Sequence, residues 1–163
     1  MATAPKKIII GRAETIHFMD FAIADIPAKV DTGAYHSAVH ADQIKLLEDD
    51  KKLQFRLLGN HPVFGSLATV VSTPKFKMVN IQNSFGHDED RYEVTLDIKI
   101  GSKVFKTNFT LANRSKGTFP ILLGRKLLND QFIVDTSKTS VDRLALKRQY
   151  GIVLNENEKI EEQ

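Results

Sequence analysis

The sequence predicts a mainly β, single-domain fold, and its length, one strict alternation and one hairpin turn carry that prediction. At 163 residues the chain fits one domain. Its 42% hydrophobic and 26% charged residues are ordinary for a globular protein. Tyr92, Val94, Leu96, Ile98 and Ile100 alternate with Glu93, Thr95, Asp97 and Lys99, the period of a half-buried strand. Gly101-Ser102 then supplies a two-residue turn with glycine at its first central position. Phe105, Thr107, Phe109 and Leu111 carry the returning strand.

In chain order, short strands are expected over residues 7–11, 28–31, 37–40, 53–58, 67–71 and 76–81, ahead of that hairpin. One short helix is expected over 125–129, and a late strand over 132–134. Residues 144–150 suit a helical turn or two. Residues 155–163 are too polar and acidic to bury apolar surface, so they are expected to form a tail. The expected division is a domain over 1–142 and a partly disordered C-terminal extension over 143–163.

Composition narrows the function classes. The absence of cysteine removes disulfide and thiolate chemistry. A formal charge of +3 is small, and the lysines fall in scattered pairs such as Lys6-Lys7 and Lys51-Lys52. Solvated surface explains them better than a nucleic-acid interface, which would concentrate them among aromatics. The slight excess suits an acidic peptide. No run could span a bilayer, and the N-terminal residues lack the apolar core of a signal peptide, so a cytoplasmic protein is expected.

Two motifs carry chemistry. In Lys29-Val30-Asp31-Thr32-Gly33-Ala34 a carboxylate follows a strand, with a hydroxyl beside it and a glycine behind. That is how a catalytic acid is presented, with Gly33 expected to permit a tight loop that a side chain would obstruct and Thr32 to fix it through its hydroxyl. The same residues are also good turn formers, so Asp31 as a turn cap stays open from the residues alone. Downstream, Phe119-Pro120-Ile121-Leu122-Leu123-Gly124-Arg125 is an apolar run closed by glycine. Asp135-Thr136-Ser137 resembles a second copy of the first motif, but it follows the expected helix almost directly, which argues against a pair within one chain.

Together these motifs make the chain resemble the retropepsin-like aspartic proteases. The resemblance is closest to a bacterial branch catalogued as ATP-dependent zinc proteases and often encoded near glutamate ligases of the ATP-grasp type. The residues that carry it are Gly11-Arg12-Ala13-Glu14, Ala28 to Ala34, Ser37-Ala38-Val39-His40-Ala41, Gly86-His87 with Arg91-Tyr92, and Phe119 to Arg125. It spans roughly residues 8–137. Tyr35-His36 stands where the branch has Arg-Thr, and Phe85 where Asn is common, both where substrate would lie.

The resemblance implies a closed β-barrel with one short helix and an aspartic peptidase site of Asp31, Thr32 and Gly33. A homodimer would pair the two Asp31 carboxylates. Residues 83–91 would form a flap, so Ala34, Tyr35, His87 and Arg91 are expected to bind substrate. Arg91 as an ordinary cross-strand ion-pair partner is equally open. Gly124 and Arg125 are expected to be structural or interface residues. The substrate would be a peptide or protein, with poly-glutamate tails suggested by the neighbouring ligases. No cofactor is expected and no metal site, since His17, His36, His40, His61 and His87 are dispersed and no His-Glu-x-x-His occurs. The rival classes are a catalytically silent peptide-binding domain and a metal-dependent peptidase, with the acidic run His87-Asp88-Glu89-Asp90 as the next candidate for a metal.

Overall fold

The computed structural model describes residues 3–82 and 85–151. Eleven strands and two short helices make up the ordered elements among them. A two-stranded parallel sheet joins β1 (Ile8–Ile10) to β11 (Phe132–Val134). The other nine strands form one sheet: β2 (Ala13–Phe18), β3 (Ile23–Val30), β4 (Ser37–Leu47), β5 (Lys52–Leu57), β6 (Thr69–Thr73), β7 (Phe76–Gln82), β8 (Asp88–Ile100), β9 (Lys103–Ala112) and β10 (Ile121–Leu123). Its order is β10-β3-β2-β8-β9-β4-β5-β6, with β7 on β8. Because β10 also pairs with β4, the pairings run in a circuit through six strands and back to β10.

The hairpin after Ile100 forms as its sequence directs. Ile100 pairs with Lys103 across two turn residues, and Gly101 has φ +60°, the left-handed region that glycine enters without strain. The core fills the circuit, with Ile16, Ile26, Val39, Phe109 and Ile121 each 0% exposed. Burying a side chain of this size is worth about 1.5–3 kcal/mol, so the three-residue β10 is anchored chiefly by Ile121 and Leu123.

Several expectations are corrected. β2 was not expected and β3 begins five residues earlier, at Ile23 rather than residue 28. A bulge between Ile16 and Phe18 breaks the alternation of β2, and Pro27 interrupts the reading of β3. Pro27 is tolerated because β10 joins β3 only from Ala28 onward. The strand expected over 67–71 starts at Thr69, after a 3-10 turn at Gly65–Leu67. Beside the one short helix expected, α1 (Arg125–Leu128), the helical turns read over 144–150 form a second, α2 (Arg143–Gln149). Asp142 caps α2 by accepting from the Ala145 N–H at 3.0 Å. Leu146 of α2 is buried with Ala13 and Phe119, so this part of the extension packs on the sheet. The tail expected over 155–163 lies outside the described residues. Among the described residues no helix is long and apolar enough to cross a membrane.

Candidate active site

Strand β10 lies between β3, which it pairs in parallel, and β4, which it pairs antiparallel. The chain leaving β3 at Val30 must pass over the end of β10 before returning as β4. Residues 31–36 are that crossing. The Asp31 N–H donates to the Leu123 carbonyl (2.9 Å), and the Arg125 and Lys126 N–H groups donate to the carbonyls of Ala34 and Tyr35 (2.9 Å each). The Gly124 N–H donates to Ser37 Oγ at 3.0 Å. A Cβ on Gly124 would sit 2.5 Å from the His36 carbonyl oxygen, so only glycine lets the two segments approach. The structural role expected of Gly124 is therefore explained by packing.

Gly33 acts differently from expectation. Its φ is not left-handed, and an added Cβ would meet only Asp31 Oδ1, at 3.4 Å. What it contributes is its N–H, which donates to Asp31 Oδ1 at 3.1 Å. Nor does the Thr32 hydroxyl fix the loop, since it has no partner among the described residues; the Thr32 carbonyl instead accepts from Arg125 Nη1 at 3.0 Å. Ala34 closes the turn through its N–H to the Asp31 carbonyl (3.2 Å). Arg125 also lies over the Tyr35 ring, 6.0 Å from its centroid.

Asp31 opens onto a cleft of about 690 Å³, bounded by the 31–36 loop and by Asn80, Ile81 and Gln82 of β7. Its wall also carries His36, Arg91, Arg114 and Arg125, and among the described residues Asp31 is the one acidic residue on it. The β7–β8 hairpin is where the flap was expected, with Gln82 paired to Asp88; part of its tip lies outside the described residues. Exposed His87 is near that tip and does not line the cleft, so the structure does not bring it to Asp31. Arg91 does line it. Its Nη2 donates to Glu89 Oε2 at 2.8 Å, within its own strand rather than across, and its buried Nε has no hydrogen-bond partner among the described residues.

Three features of the site were not read from the sequence. Arg114 follows β9 and reaches the cleft while its Nε donates to the Phe119 carbonyl at 2.9 Å. Burial, then the neighbouring Arg91, pulls the Arg114 pKa below its ordinary value, and Tyr150 and Asp31 act the other way. Glu93, which the alternation of β8 turns outward, is only 3% exposed. Lys126 of α1 (3.2 and 3.3 Å) and Lys77 of β7 (3.5 Å) close over its carboxylate. His36 Nδ1 is 3.3 Å from Glu93 Oε2, an ion-pair contact without hydrogen-bond geometry. His40, finally, is a structural residue. Its Nδ1 accepts the Arg114 N–H (2.9 Å) and its Nε2 faces the Gly59 carbonyl (2.8 Å), which fixes the neutral ring with the proton on Nε2 and leaves no nitrogen for a metal.

The second motif is a turn. Asp135 Oδ1 accepts from the Ser137 N–H (3.0 Å) and Ser137 Oγ (2.6 Å), and these bonds hold its carboxyl below the usual range. Asp135 does not line the Asp31 cleft. Among the described residues no group of three or more His, Cys, Asp or Glu is placed to hold a metal ion.

Comparison with known proteins agrees with this geometry. Residues 9–144 match the RimB-like family, described as retropepsin-like aspartic endopeptidase RimB. A protein from Desulfotalea psychrophila named probable alpha-L-glutamate ligase is 35% identical over 131 residues, covering 79% of this chain and 28% of that protein. One of the same name from Shewanella pealeana is 32% identical, covering 82% of this chain and 29% of that protein. The chain thus spans less than a third of the length of these relatives. A crystal structure of a Legionella pneumophila protein of unknown function superposes with a TM-score of 0.66 at 27% identity, covering 82% of this chain and 97% of that one. Nothing in these matches supports the zinc label attached to the branch. The chain belongs to the RimB-like family of retropepsin-like proteins.

Proposed function

We propose that this protein is an aspartic peptidase that trims glutamate-rich peptide tails and works as a homodimer. One observation carries the reading: the Asp31 carboxylate, held among the described residues by the Gly33 N–H alone, faces a cleft whose wall bears Arg91, Arg114 and Arg125. Two such carboxylates about 3 Å apart share one proton, because both cannot ionise. The ionised member takes a proton from water while the protonated member polarises the scissile carbonyl. Guanidinium groups grip carboxylates bidentately, so the arginines are suited to the side chains of a glutamate tail. The relatives named as glutamate ligases join this segment to glutamate chemistry in the same chain. A cysteine-free chain acting beside such an enzyme suits the cytoplasm.

The dimer follows from the single acid on the cleft wall. An isologous contact with its axis between the Asp31 residues would complete the pair. Thr32 and Arg125 share a surface hollow with Lys7, Phe132 and Val134, beside the β1–β11 sheet. Ile9 and Ile133, register partners on that sheet, are 58% and 53% exposed. The six-strand circuit is read as the closed barrel of the retropepsin type.

Glutamate-extended peptides incubated with the purified protein test this reading. Cleavage is expected, lost in Asp31→Asn, indifferent to a chelator and falling on dilution. Mixing Asp31→Asn chains into wild type should depress activity beyond simple dilution. A protein that binds these peptides, cleaves none and stays monomeric at high concentration would instead be a peptide-binding domain, a reading favoured by the solitary acid. Loss of cleavage with a chelator would replace the aspartic mechanism by a metal-dependent one.

A further inference from the structure

Behind the cleft lies a buried polar chain that the proposed chemistry does not use. His61 is 4% exposed, and its Nδ1 accepts the N–H groups of Val63 (3.2 Å) and Phe64 (3.1 Å). Its proton is therefore on Nε2, which lies 2.9 Å from the Tyr150 hydroxyl. The His61 ring meets the His40 ring edge-on at 5.0 Å, and His40 holds the Arg114 backbone N–H. Tyr150 follows α2 directly and packs against the cluster of Ala13, Phe119 and Leu146, and the Phe119 carbonyl holds Arg114 Nε. The Arg114 guanidinium in turn acts electrostatically on the Tyr150 phenol, opposing the burial that pushes it up to about 12. Backbone and side chain of Arg114 are thus both tied to groups on which the end of α2 rests. Residues past 144 lie outside the span matched by the family.

We propose that α2 and Tyr150 form a clamp that, through His61 and His40, positions Arg114 to hold a carboxylate of the substrate. Tyr150 is a positioning residue: it does not line the cleft, and it acts only through Arg114. The inference rests on the acidic-substrate reading. Tyr150→Phe removes the hydroxyl and leaves the buried His61 N–H without that partner, while the ring and its packing remain.

A double-mutant cycle tests it, with the Kd of a tetraglutamate peptide as readout in the Asp31→Asn background. Circular dichroism confirms that each variant is folded. Tyr150→Phe is expected to weaken binding about five- to tenfold, the scale of one hydrogen bond. Arg114→Ala is expected to weaken it more, and adding Tyr150→Phe to Arg114→Ala should then change nothing, because the two act as one unit. Hydrogen exchange gives a readout free of ligand: the Arg114 amide should lose protection in Tyr150→Phe. Additive effects, or unchanged binding and protection in Tyr150→Phe, overturn the clamp while leaving the acidic-substrate reading intact. Absence of tetraglutamate binding by the Asp31→Asn protein would overturn that reading, and Arg114 as a carboxylate holder with it.

Discussion

Two Asp-Thr turns in this chain differ at one residue, and that residue separates their chemistry. At Asp31 the third position is glycine, which offers one N–H at 3.1 Å. At Asp135 it is serine, which offers an N–H at 3.0 Å and a hydroxyl at 2.6 Å to the same oxygen. The Asp135 carboxylate is satisfied within its own turn. Asp31, held by one donor, keeps acceptor capacity for a water and a partner acid. Glycine matters here less for its backbone freedom than for the side chain it does not bring. The surroundings differ as well, since Asp31 opens onto a cleft whose wall carries Arg91, Arg114 and Arg125, and Asp135 does not line it.

The comparison breaks most simply by exchange of the acids. Asp31→Asn is expected to lower the turnover of glutamate peptides by on the order of 10³-fold or more, because both acid and base functions depend on the pair. Its melting temperature should barely move. Comparable loss in Asp135→Asn would mean that the second motif had been misread.

The buried His61, bonded to Val63, Phe64 and Tyr150, sets the next largest effect. Burial, with smaller contributions from His40 and Arg114, lowers the His61 pKa from 6.5 to about 4. Between these values the unfolded chain holds a proton that the folded protein refuses. Stability is therefore fully present above pH 6.5, falls as the pH drops toward 4 and is flat below that. The loss has an upper limit of about 3 kcal/mol, or roughly two orders of magnitude in the unfolding constant. Urea titrations at pH 7 and pH 4.5 should show it in wild type. His61→Asn, whose amide oxygen can replace Nδ1 as acceptor, should be less stable at pH 7 but lose less between the two pH values. An equal loss in both proteins would remove His61 as the cause.

Much of the first region was legible in sequence and much of the second was not. Asp31, Gly124 and β10 sit in contiguous motifs whose spacing is local, so residues alone place them. Gly33 lies in the loop where it was expected but contributes its N–H rather than room for a tight turn, and the hydroxyl it lacks is visible only beside Asp135. Arg114 comes to the cleft, and Glu93 and Tyr150 to groups around it, through long-range packing that no local period records. Glu93 stands on the polar side of a clean alternation, and only Lys126 and Lys77 reveal that this side is covered. The bulge in β2 and Pro27 in β3 hid the strands that carry the chain into the Asp31 loop.

Gly33→Ser would sharpen the comparison by copying the second turn onto the first. An added Cβ meets only Asp31 Oδ1 at 3.4 Å, so the loop can accept it. A new hydroxyl bond stabilises the ionised carboxylate and holds back the proton that the proposed pair would share. Turnover is expected to fall about tenfold, the equivalent of one pKa unit, with the acidic limb of the pH–rate profile moving to lower pH. An unchanged profile would show that the number of donors on Asp31 is not what distinguishes the two turns.

The smallest effect belongs to Asp135→Asn. The bonds from Ser137 lower the Asp135 pKa below its usual 3.8, so its contribution to stability is present above that value and disappears as the pH falls through the folded one. At neutral pH the amide oxygen of Asn can still accept from Ser137, and the turn should persist with activity within about twofold of wild type. The difference between the two proteins should therefore be confined to stability, be seen at pH 7, and shrink as the pH falls below 3.8. Lys138, 3.9 Å from the carboxylate, loses its ion partner in the variant, but so exposed a pair is worth little. If Asp135→Asn instead abolished peptide cleavage while leaving the fold intact, Asp135 would have to reach the reacting atoms. The separation between a satisfied turn and an open acid would then fail as an account of which motif is catalytic.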